Sequence, residues 1–530
     1  MAEPFYITTA ISYPNGKPHI GHAYEAIAAD VIARHQRLRG RDVRFQTGAD
    51  EHGLKMAQKA RELGVSPKEL CDEMSQYFID MCDTLNVSYD VFLRTTEARH
   101  HDASQELWRR MEANGDLYLD RYEGWYSIRD EAYYDESELT SGEGEEKLSP
   151  QGTPVEWTVE ESWFFRLSRY AGPLLALYNE HPEFLQPDSR RNEVMRFVEG
   201  GLRDLSVSRT SFDWGVKVPG SENHVMYVWV DALTNYLTGL GFPGDTPEMT
   251  KWWPADIHLI GKDIVRFHTV YWPAFLMSAK LPLPRQVFGH GFLLNRGQKE
   301  SKSLGNVTDP LELADKFGVD VLRYFLMREV VFGQDGTYSP EAIVTRANAE
   351  LANSFGNLAQ RVLSFIAKNL EGELPFVDTD SELDLVDREF LGQVEQDLGQ
   401  YLIEMDLLNI DRAAQEWMQA VFKANAYVDG QAPWALRKTD PARMREVLAV
   451  LCLAIHDIAL AISPIIPVGS NRILTALGST GDQKYRLNDN GLWHIWDLSW
   501  LATAHKAGFR ITSPTPAFPR LELPVEESAA

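Results

Sequence analysis

The chain has 530 residues, 44% hydrophobic and 24% charged, and its 52 Lys and Arg against 77 Asp and Glu leave a formal net charge of −25. Such a length can bury large cores and divides into roughly three to four domains. The acidic excess excludes a protein that coats nucleic acid indiscriminately, because that binding runs on phosphate neutralisation; a specific RNA partner, met by local clusters such as Arg190-Arg191 or Arg437-Lys438, stays open.

In chain order, Met1-Ala2-Glu3-Pro4 carries no cationic and then apolar leader, so a cytoplasmic protein is expected. An apolar strand, Phe5 to Ile11, runs into a Pro14-Asn15-Gly16 turn and a helix whose stripe is Ile20, Tyr24, Ile27, Ala28, Val31 and Leu38, with Gly40 as its stop. A second strand, Val43 to Thr47, ends in Gly48-Ala49-Asp50-Glu51-His52-Gly53, a polar loop suited to the carboxyl edge of a parallel sheet. Helices follow over about Ser66 to Leu85 and Arg99 to Asn114. From Gly115 to Trp214 aromatic, Gly and acidic residues crowd together without a sustained helix period, which predicts an insertion between two halves of a nucleotide-binding sheet. The α/β pattern resumes with the apolar run Met226 to Asp231, read as strand-like, then strand Ile257 to Ile260, Gly261-Lys262-Asp263 opening a helix, and strand Gln286 to Phe292.

Asp309-Pro310 is a good N-cap and N1 pair, and beyond it the chain reads as helical: Pro340 to Asn369, Asp387 to Val428 and Pro441 to Ile462 suit a bundle. Val447 to Ile462 is nearly all apolar, but His456 and Asp457 interrupt it and Pro464 ends it, so it is expected to be a buried bundle helix rather than a membrane span. The tail after Gly491 shows no strong pattern. Cys71, Cys82 and Cys452 are too few and scattered for a disulfide framework.

Three segments carry chemistry. His19 and His22, on a helix's first turn after a strand and turn, can hold phosphate with help from the helix dipole, and Gly21 between them allows close approach. A His-x-x-His alone would more often be a pair of surface histidines; the preceding strand and turn shift the balance. Gly261, Lys262 and Asp263 follow a strand, so their amides and the lysine face a crevice, and Asp263 can accept from a ribose hydroxyl. Lys299-Glu300-Ser301-Lys302-Ser303 is a small, doubly cationic loop that can reach a triphosphate.

His19-Ile20-Gly21-His22 and Lys299-Glu300-Ser301-Lys302-Ser303 resemble, in order, the His-Ile-Gly-His and Lys-Met-Ser-Lys-Ser signatures of class I aminoacyl-tRNA synthetases, with Glu300 where Met is usual. The residues between are similar to the methionyl-tRNA synthetase family, and the resemblance extends from Tyr6 to about Ile473. It implies a Rossmann-like α/β catalytic domain split by a connective insertion and followed by an α-helical anticodon-binding bundle. The expected division is 1–115 and 215–308 for the catalytic halves, 116–214 for the insertion, 309–345 for a stem-contact linker, and 346–530 for the anticodon-binding domain and tail.

By the same resemblance, His19, His22, Lys299 and Lys302 are catalytic, and Gly21, Gly261, Lys262, Asp263, Ser301 and Ser303 bind ATP. Methionine is met by Ile11, Tyr13, Asp50, Trp229, Ala232, Leu233, Tyr236 and His268, with Asp50 holding its ammonium. Asn357, Arg361 and Trp434, the last in a loop between helices, are implied to read the anticodon. The implied partners are ATP with Mg²⁺, L-methionine and tRNA(Met), with no membrane, and a monomer is expected. Many relatives hold zinc through Cys-x-x-Cys pairs in the insertion; the corresponding Ser127, Asp130, Ser149 and Gly152 carry no thiol, so no structural zinc is predicted. A small-molecule nucleotidylyltransferase using the same His-x-x-His crevice and a catalytically silent RNA-binding relative are the rival readings.

Overall fold

The computed structural model describes residues 2–523 apart from 131, 143–145, 300–307, 377–382, 480–483, 486, 489, 492, 496–498 and 513. It falls into two compact units, one formed by Pro4–Ala29 with Val43–His290 and the other by Met1–Glu3, Asp30–Asp42 and Gly291–Ala530.

The first unit is built on six strands in the order Val91–Arg94, Asp42–Ala49, Pro4–Thr9, Ile257–Gly261, Val287–His290 and Leu185–Gln186. The two central strands run parallel, with Ile7 opposite Ile257 and Thr9 opposite Leu259. Strands from the early part of the chain lie to one side of this pair and later ones to the other. The strand order therefore reverses between Pro4–Thr9 and Ile257–Gly261, which is where sheets of this type open a crevice at their carboxyl ends. Phe5 to Thr9 are all buried, which explains why the opening strand reads as a continuous run and not as an alternation.

The helix Ile20–Leu38 follows as expected, and Gly40 turns the chain at φ +84°. Helix Pro67–Thr84 opens with a capping box: Ser66 Oγ accepts from the Glu69 amide at 3.2 Å and the Glu69 carboxylate accepts from the Ser66 amide at 2.9 Å.

The segment 116–214 differs from its sequence reading. It begins with a long antiparallel hairpin, Leu117–Ser127 against Glu156–Phe165, but then forms helices Ala171–Glu180 and Asp188–Glu199. The strand Leu185–Gln186 between these helices joins the edge of the parallel sheet beside Val287–His290. Each helix shows one buried i, i+4 pair, Leu174 with Tyr178 and Val194 with Val198, and Pro182 and Pro187 separate them, so neither is long enough to impose a visible period.

The second unit is helical. Asp309 caps helix Pro310–Phe317 by accepting from the Leu311 amide at 2.8 Å. The expected helix over Asp387 to Val428 is two antiparallel helices, Leu385–Asp406 and Ile410–Gln431, broken where Leu408 takes a left-handed φ of 61°. From Pro340 the helical course runs to Asn369, but Ala347–Gly356 is wound as a π-helix. Val447 to Ile462 is buried at every position, and among the described residues no helix is long and apolar enough to cross a membrane.

Arg323, fully buried, pairs with Asp30 at 2.6 Å and donates to the Ile465 and Pro464 carbonyls. The tail holds a short helix, Ser499–Lys506, which its sequence did not announce. Beyond it, Pro514 O accepts from Gln360 Nε2, Phe518 fills the space beside Gly469, and Leu521 exchanges two 2.8 Å hydrogen bonds with the Asn348 side chain.

Candidate active site

Of the two motif histidines only His22 lies in the helix; His19 stands immediately before Ile20. The correction has a physical reason. The His19 amide donates to His22 Nδ1 at 3.1 Å, and the Gly21 amide donates to His19 Nδ1 at 3.1 Å. The two imidazoles thus do for this helix what Ser and Glu do in a capping box, satisfying amides that have no carbonyl partner. Both Nδ1 atoms accept, so, assigned from these partners, each ring carries its proton on Nε2. The rings lie 3.8 Å apart between centroids. Gly21 lets His19 fold over it, since a Cβ there would come within 2.9 Å of His19 Cε1 and the ring would have to shift.

The run after Met226 is a helix, Val228–Thr238, and not a strand. Its spacing carried that signal: Trp229, Ala232, Leu233 and Tyr236 stand at i, i+3, i+4 and i+7, one face of a helix. With Ile11, Asp50 and His268 they line a cavity of about 30 Å³ at the carboxyl end of the opening strand. Tyr13 does not line it; it packs against the small cluster of Met56, Ala60, Leu70 and Cys71, and its hydroxyl accepts from the Met56 amide at 3.2 Å.

Trp229 stacks on Phe267 with centroids 3.8 Å apart and planes 3° from parallel. His268 Nδ1–H donates to the Ile264 carbonyl at 3.0 Å, because a carbonyl can only accept, and Nε2 therefore accepts from the Tyr236 hydroxyl at 2.7 Å. Burial holds the His268 imidazole down to about 4, which keeps it neutral near pH 7. Phe267 and His268 sit on a π-helical turn, Phe267–Tyr271, a widening often found at binding sites. Phe267 was legible only as part of the Gly261 to His268 motif and was not singled out.

The loop holding Asp50 is tied on both sides. The Asp50 amide donates to Ser12 O at 2.9 Å. Glu51, fully buried, accepts from Arg94 Nε at 2.5 Å and Ser75 Oγ at 2.6 Å, and its carbonyl accepts from Trp214 Nε1 at 2.6 Å. Gly261, Lys262 and Asp263 stand at the end of the neighbouring central strand and open a helix as expected: Lys262–Ile264 is a 3₁₀ first turn that runs through the π-helical Phe267–Tyr271 into Trp272–Ser278. The Asp263 carboxylate folds over Gly261, where a Cβ would lie 2.6 Å from its Oδ1.

Sequence reasoning missed His290, beside this strand end, and Arg209, in a separate three-stranded sheet. His290 Nε2 meets the Glu25 carboxylate at 2.9 Å, and burial raises the Glu25 carboxyl above its usual range. Arg209, buried with no motif to advertise it, sits over the rings of Tyr133, Tyr227 and Tyr126 at 4.4, 4.7 and 5.3 Å.

Lys299 ends a short strand, Gln298–Lys299, paired antiparallel with Leu293–Asn295. Ser301, Lys302 and Ser303 lie outside the described residues.

In the helical unit, Asn357 opens the helix Asn357–Asn369 and is exposed; Arg361 lies one turn later on the same face. Arg361 pairs with Asp429 at 2.8 Å and lies 5.4 Å from the Trp434 ring centroid. Trp434 is 46% exposed and is the second residue of a helix, Pro433–Thr439, where the sequence predicted a loop; Pro433 supplies N1 after Ala432 turns at φ 46°.

The four positions where thiols might have been form an oxygen cluster in which Thr153 takes the place expected of Gly152, whose backbone turns away at φ +76°. Asp130 Oδ2 accepts from Thr153 Oγ1 at 2.5 Å, Ser149 Oγ at 2.6 Å and Tyr134 OH at 3.0 Å, and Ser127 Oγ contacts Thr153 Oγ1 at 2.7 Å. Hydroxyls and one carboxylate, already engaged with one another, do not suit a tetrahedral zinc that prefers thiolate and imidazole.

Residues 5–363 match the family described as tRNA synthetases class I (M), and residues 377–521 match the anticodon binding domain of methionyl tRNA ligase. A methionine–tRNA ligase of Brucella melitensis biotype 1 is 54% identical over 518 residues, covering 98% of each chain, and one of Rhizobium meliloti is 52% identical over 528 residues, covering 98% of this chain and 99% of that one. The structure of Mycobacterium tuberculosis methionyl-tRNA synthetase in complex with methionyl-adenylate superimposes with a TM-score of 0.90 at 51% identity, covering 98% of this chain and all of that one. With a parallel-sheet crevice headed by His19-Ile20-Gly21-His22, a helical second unit and these similarities over nearly its whole length, the chain belongs to the methionyl-tRNA synthetases of class I.

Proposed function

We propose that in this methionine–tRNA ligase Asp50 holds the substrate ammonium while Ile11, Trp229, Ala232, Leu233, Tyr236 and His268 receive the thioether side chain. Asp50 supplies the negative charge, and the aromatic faces suit a polarisable sulfur. The substrate carboxylate attacks the ATP α-phosphate, the bond from that phosphorus to the β-phosphate oxygen breaks, and pyrophosphate leaves. The Nε2–H groups of His19 and His22, with Lys262, Lys299 and Lys302, stabilise charge on the phosphates; Gly21, Ser301 and Ser303 shape their surroundings, and Asp263 accepts from the ribose. In the second step a hydroxyl of the tRNA's terminal ribose loses its proton, attacks the methionyl carbonyl and displaces AMP.

ATP enters as its Mg²⁺ complex. The ion belongs to the substrate and would be held by its phosphates; Mg²⁺ takes oxygen ligands, whereas the groups assigned here to the phosphates are imidazoles and lysines. Trp434 stacks an unpaired anticodon base of tRNA(Met), and Asn357 and Arg361 hydrogen-bond base edges, Arg361 exchanging Asp429 for the RNA. The division into catalytic halves 1–115 and 215–308, insertion 116–214, linker 309–345 and anticodon-binding domain 346–530 is the working partition. One chain carries every group these steps need, which suits a monomer acting in the cytoplasm.

The observation that supports this reading most directly is the single cavity that collects Asp50 with the aromatic face of Val228–Thr238 and a neutral His268. The test is amino-acid-dependent ATP–pyrophosphate exchange with each of the twenty amino acids, for the native protein and for His22→Ala. Exchange with methionine alone, lowered about 10²-fold or more in the variant, is expected. Undiminished exchange in the variant would remove His22 from the reaction.

A further inference from the structure

Asp231 projects from the first turns of Val228–Thr238 and is fully buried. Both of its oxygens are taken by imidazoles from other elements: His52 Nδ1 lies 2.6 Å from Oδ2, and His100 Nε2 lies 2.7 Å from Oδ1. A carboxylate can only accept, so both ring nitrogens donate to it. His100 Nδ1 in turn meets Thr238 Oγ1 at 2.9 Å, one further point on the same helix. His52 follows Asp50 by two residues in the loop after the strand Asp42–Ala49, and His100 belongs to the helix Ala98–Ala113. Edge contacts from Trp214 and His101, with ring centroids 5.4 and 5.3 Å from His52, close the remaining sides of that imidazole.

Burying a carboxylate costs several kcal/mol unless its partners are well placed, and an apolar residue at this point of a helix that is otherwise almost wholly buried would avoid that cost. The two charge-assisted hydrogen bonds fix the geometry of what they join. They join the Asp50 loop to the helix whose other residues form the cavity wall.

We propose that Asp231 is a positioning residue for methionine, holding the Asp50 carboxylate at a set distance from Trp229, Ala232, Leu233 and Tyr236 through its hydrogen bond to His52. The proposal rests on the assignment of Asp50 to the substrate ammonium. Among the described residues, the bonds of Asp231 and His52 do not include His19, His22, Lys262 or Asp263, the residues assigned to ATP.

Asp231→Asn keeps the shape and turns one oxygen into a donor that faces an imidazole N–H. Methionine-dependent pyrophosphate exchange should show the KM for methionine rising about tenfold or more and the KM for ATP staying within about twofold. His52→Ala should reproduce this shift. His52→Asn, whose amide N–H can stand where Nδ1–H stood, should restore most of it, and this pair carries the test if Asp231→Asn does not fold. A merely structural role would lower the fraction of active enzyme without moving either KM, and that result overturns the proposal. Asp50→Asn separates the two levels: if it raises the KM for methionine and neither Asp231→Asn nor His52→Ala does, the positioning role is refuted, whereas if Asp50→Asn changes nothing the ammonium assignment itself falls.

Discussion

The oxygen cluster of the insertion predicts what Asp130→Ala would do. Asp130 Oδ2 is the common acceptor for Tyr134, Ser149 and Thr153, and Ser127, Ser149 and Thr153 are buried almost completely. Removing the carboxylate strands these donors, but the hydroxyls can still pair among themselves, as Ser127 and Ser149 already do with Thr153 at 2.7 and 2.8 Å. With two of the three donors left unsatisfied at roughly 1–2 kcal/mol each, the local cost is about 2–4 kcal/mol. Hydrogen exchange of the backbone amides in 127–153 reads this directly, because opening governed by local stability should then speed up about 30- to 900-fold. Exchange in the parallel sheet should be unchanged. Treating the native protein with a zinc chelator should leave protection in 127–153 unaltered. Unchanged exchange in Asp130→Ala, or loosening of this segment by the chelator, would refute the view that hydrogen bonds to one carboxylate hold it.

Two further outcomes follow from other parts of the molecule. The His268 imidazole is held down to about 4 by burial, whereas in an unfolded chain it titrates near 6.5, so the unfolded state takes the proton first as pH falls; stability is fully present above about pH 6.5 and lost towards pH 4, with about 2 kcal/mol gone by pH 5. Urea unfolding of the native protein and of His268→Gln between pH 7 and pH 5 should diverge in slope by that amount, and parallel curves would contradict it. In the helical unit, Trp434→Ala should raise the KM for tRNA in aminoacylation about 5- to 150-fold, the worth of one stacked base, while leaving pyrophosphate exchange at its native rate.

How much of this was legible in the sequence depended on the kind of pattern. The opening strand, the helix after it and the Asp309-Pro310 cap were readable because apolar continuity, a 3.6-residue stripe and a capping residue are local signals. The helix Val228–Thr238 was misread, although its i, i+3, i+4, i+7 face was present, because apolar residues fill its other faces too and hide the period. The break at Leu408 was invisible because no Gly or Pro marks it; a Leu there takes φ 61° only under the packing of two antiparallel helices. Within the site, motif residues could be named, but their hydrogen-bond partners could not. His19 and His22 capping their own helix, Phe267 beneath Trp229, and Asp231 joining His52 to His100 are contacts between residues up to 179 positions apart. Tyr13 illustrates the converse, a motif neighbour that packs beside Met56 instead of lining the cavity.

The strap formed by Pro514, Phe518 and Leu521 sets an order of events during synthesis. Gln360 and Pro514, which share a hydrogen bond, are 154 residues apart, and the π-turn Ala347–Gly356 that leads into Asn357 is backed by Phe518 and bonded to Leu521 through Asn348. A nascent chain emerging from the ribosome can assemble the crevice of its first unit long before these residues leave the exit tunnel, since domains form as they emerge. The helix carrying Asn357 and Arg361 receives its backing only when translation has passed residue 521. The cavity that holds Asp50 and the face of Val228–Thr238 therefore precedes, on each molecule, the finished surface on which Trp434 stands.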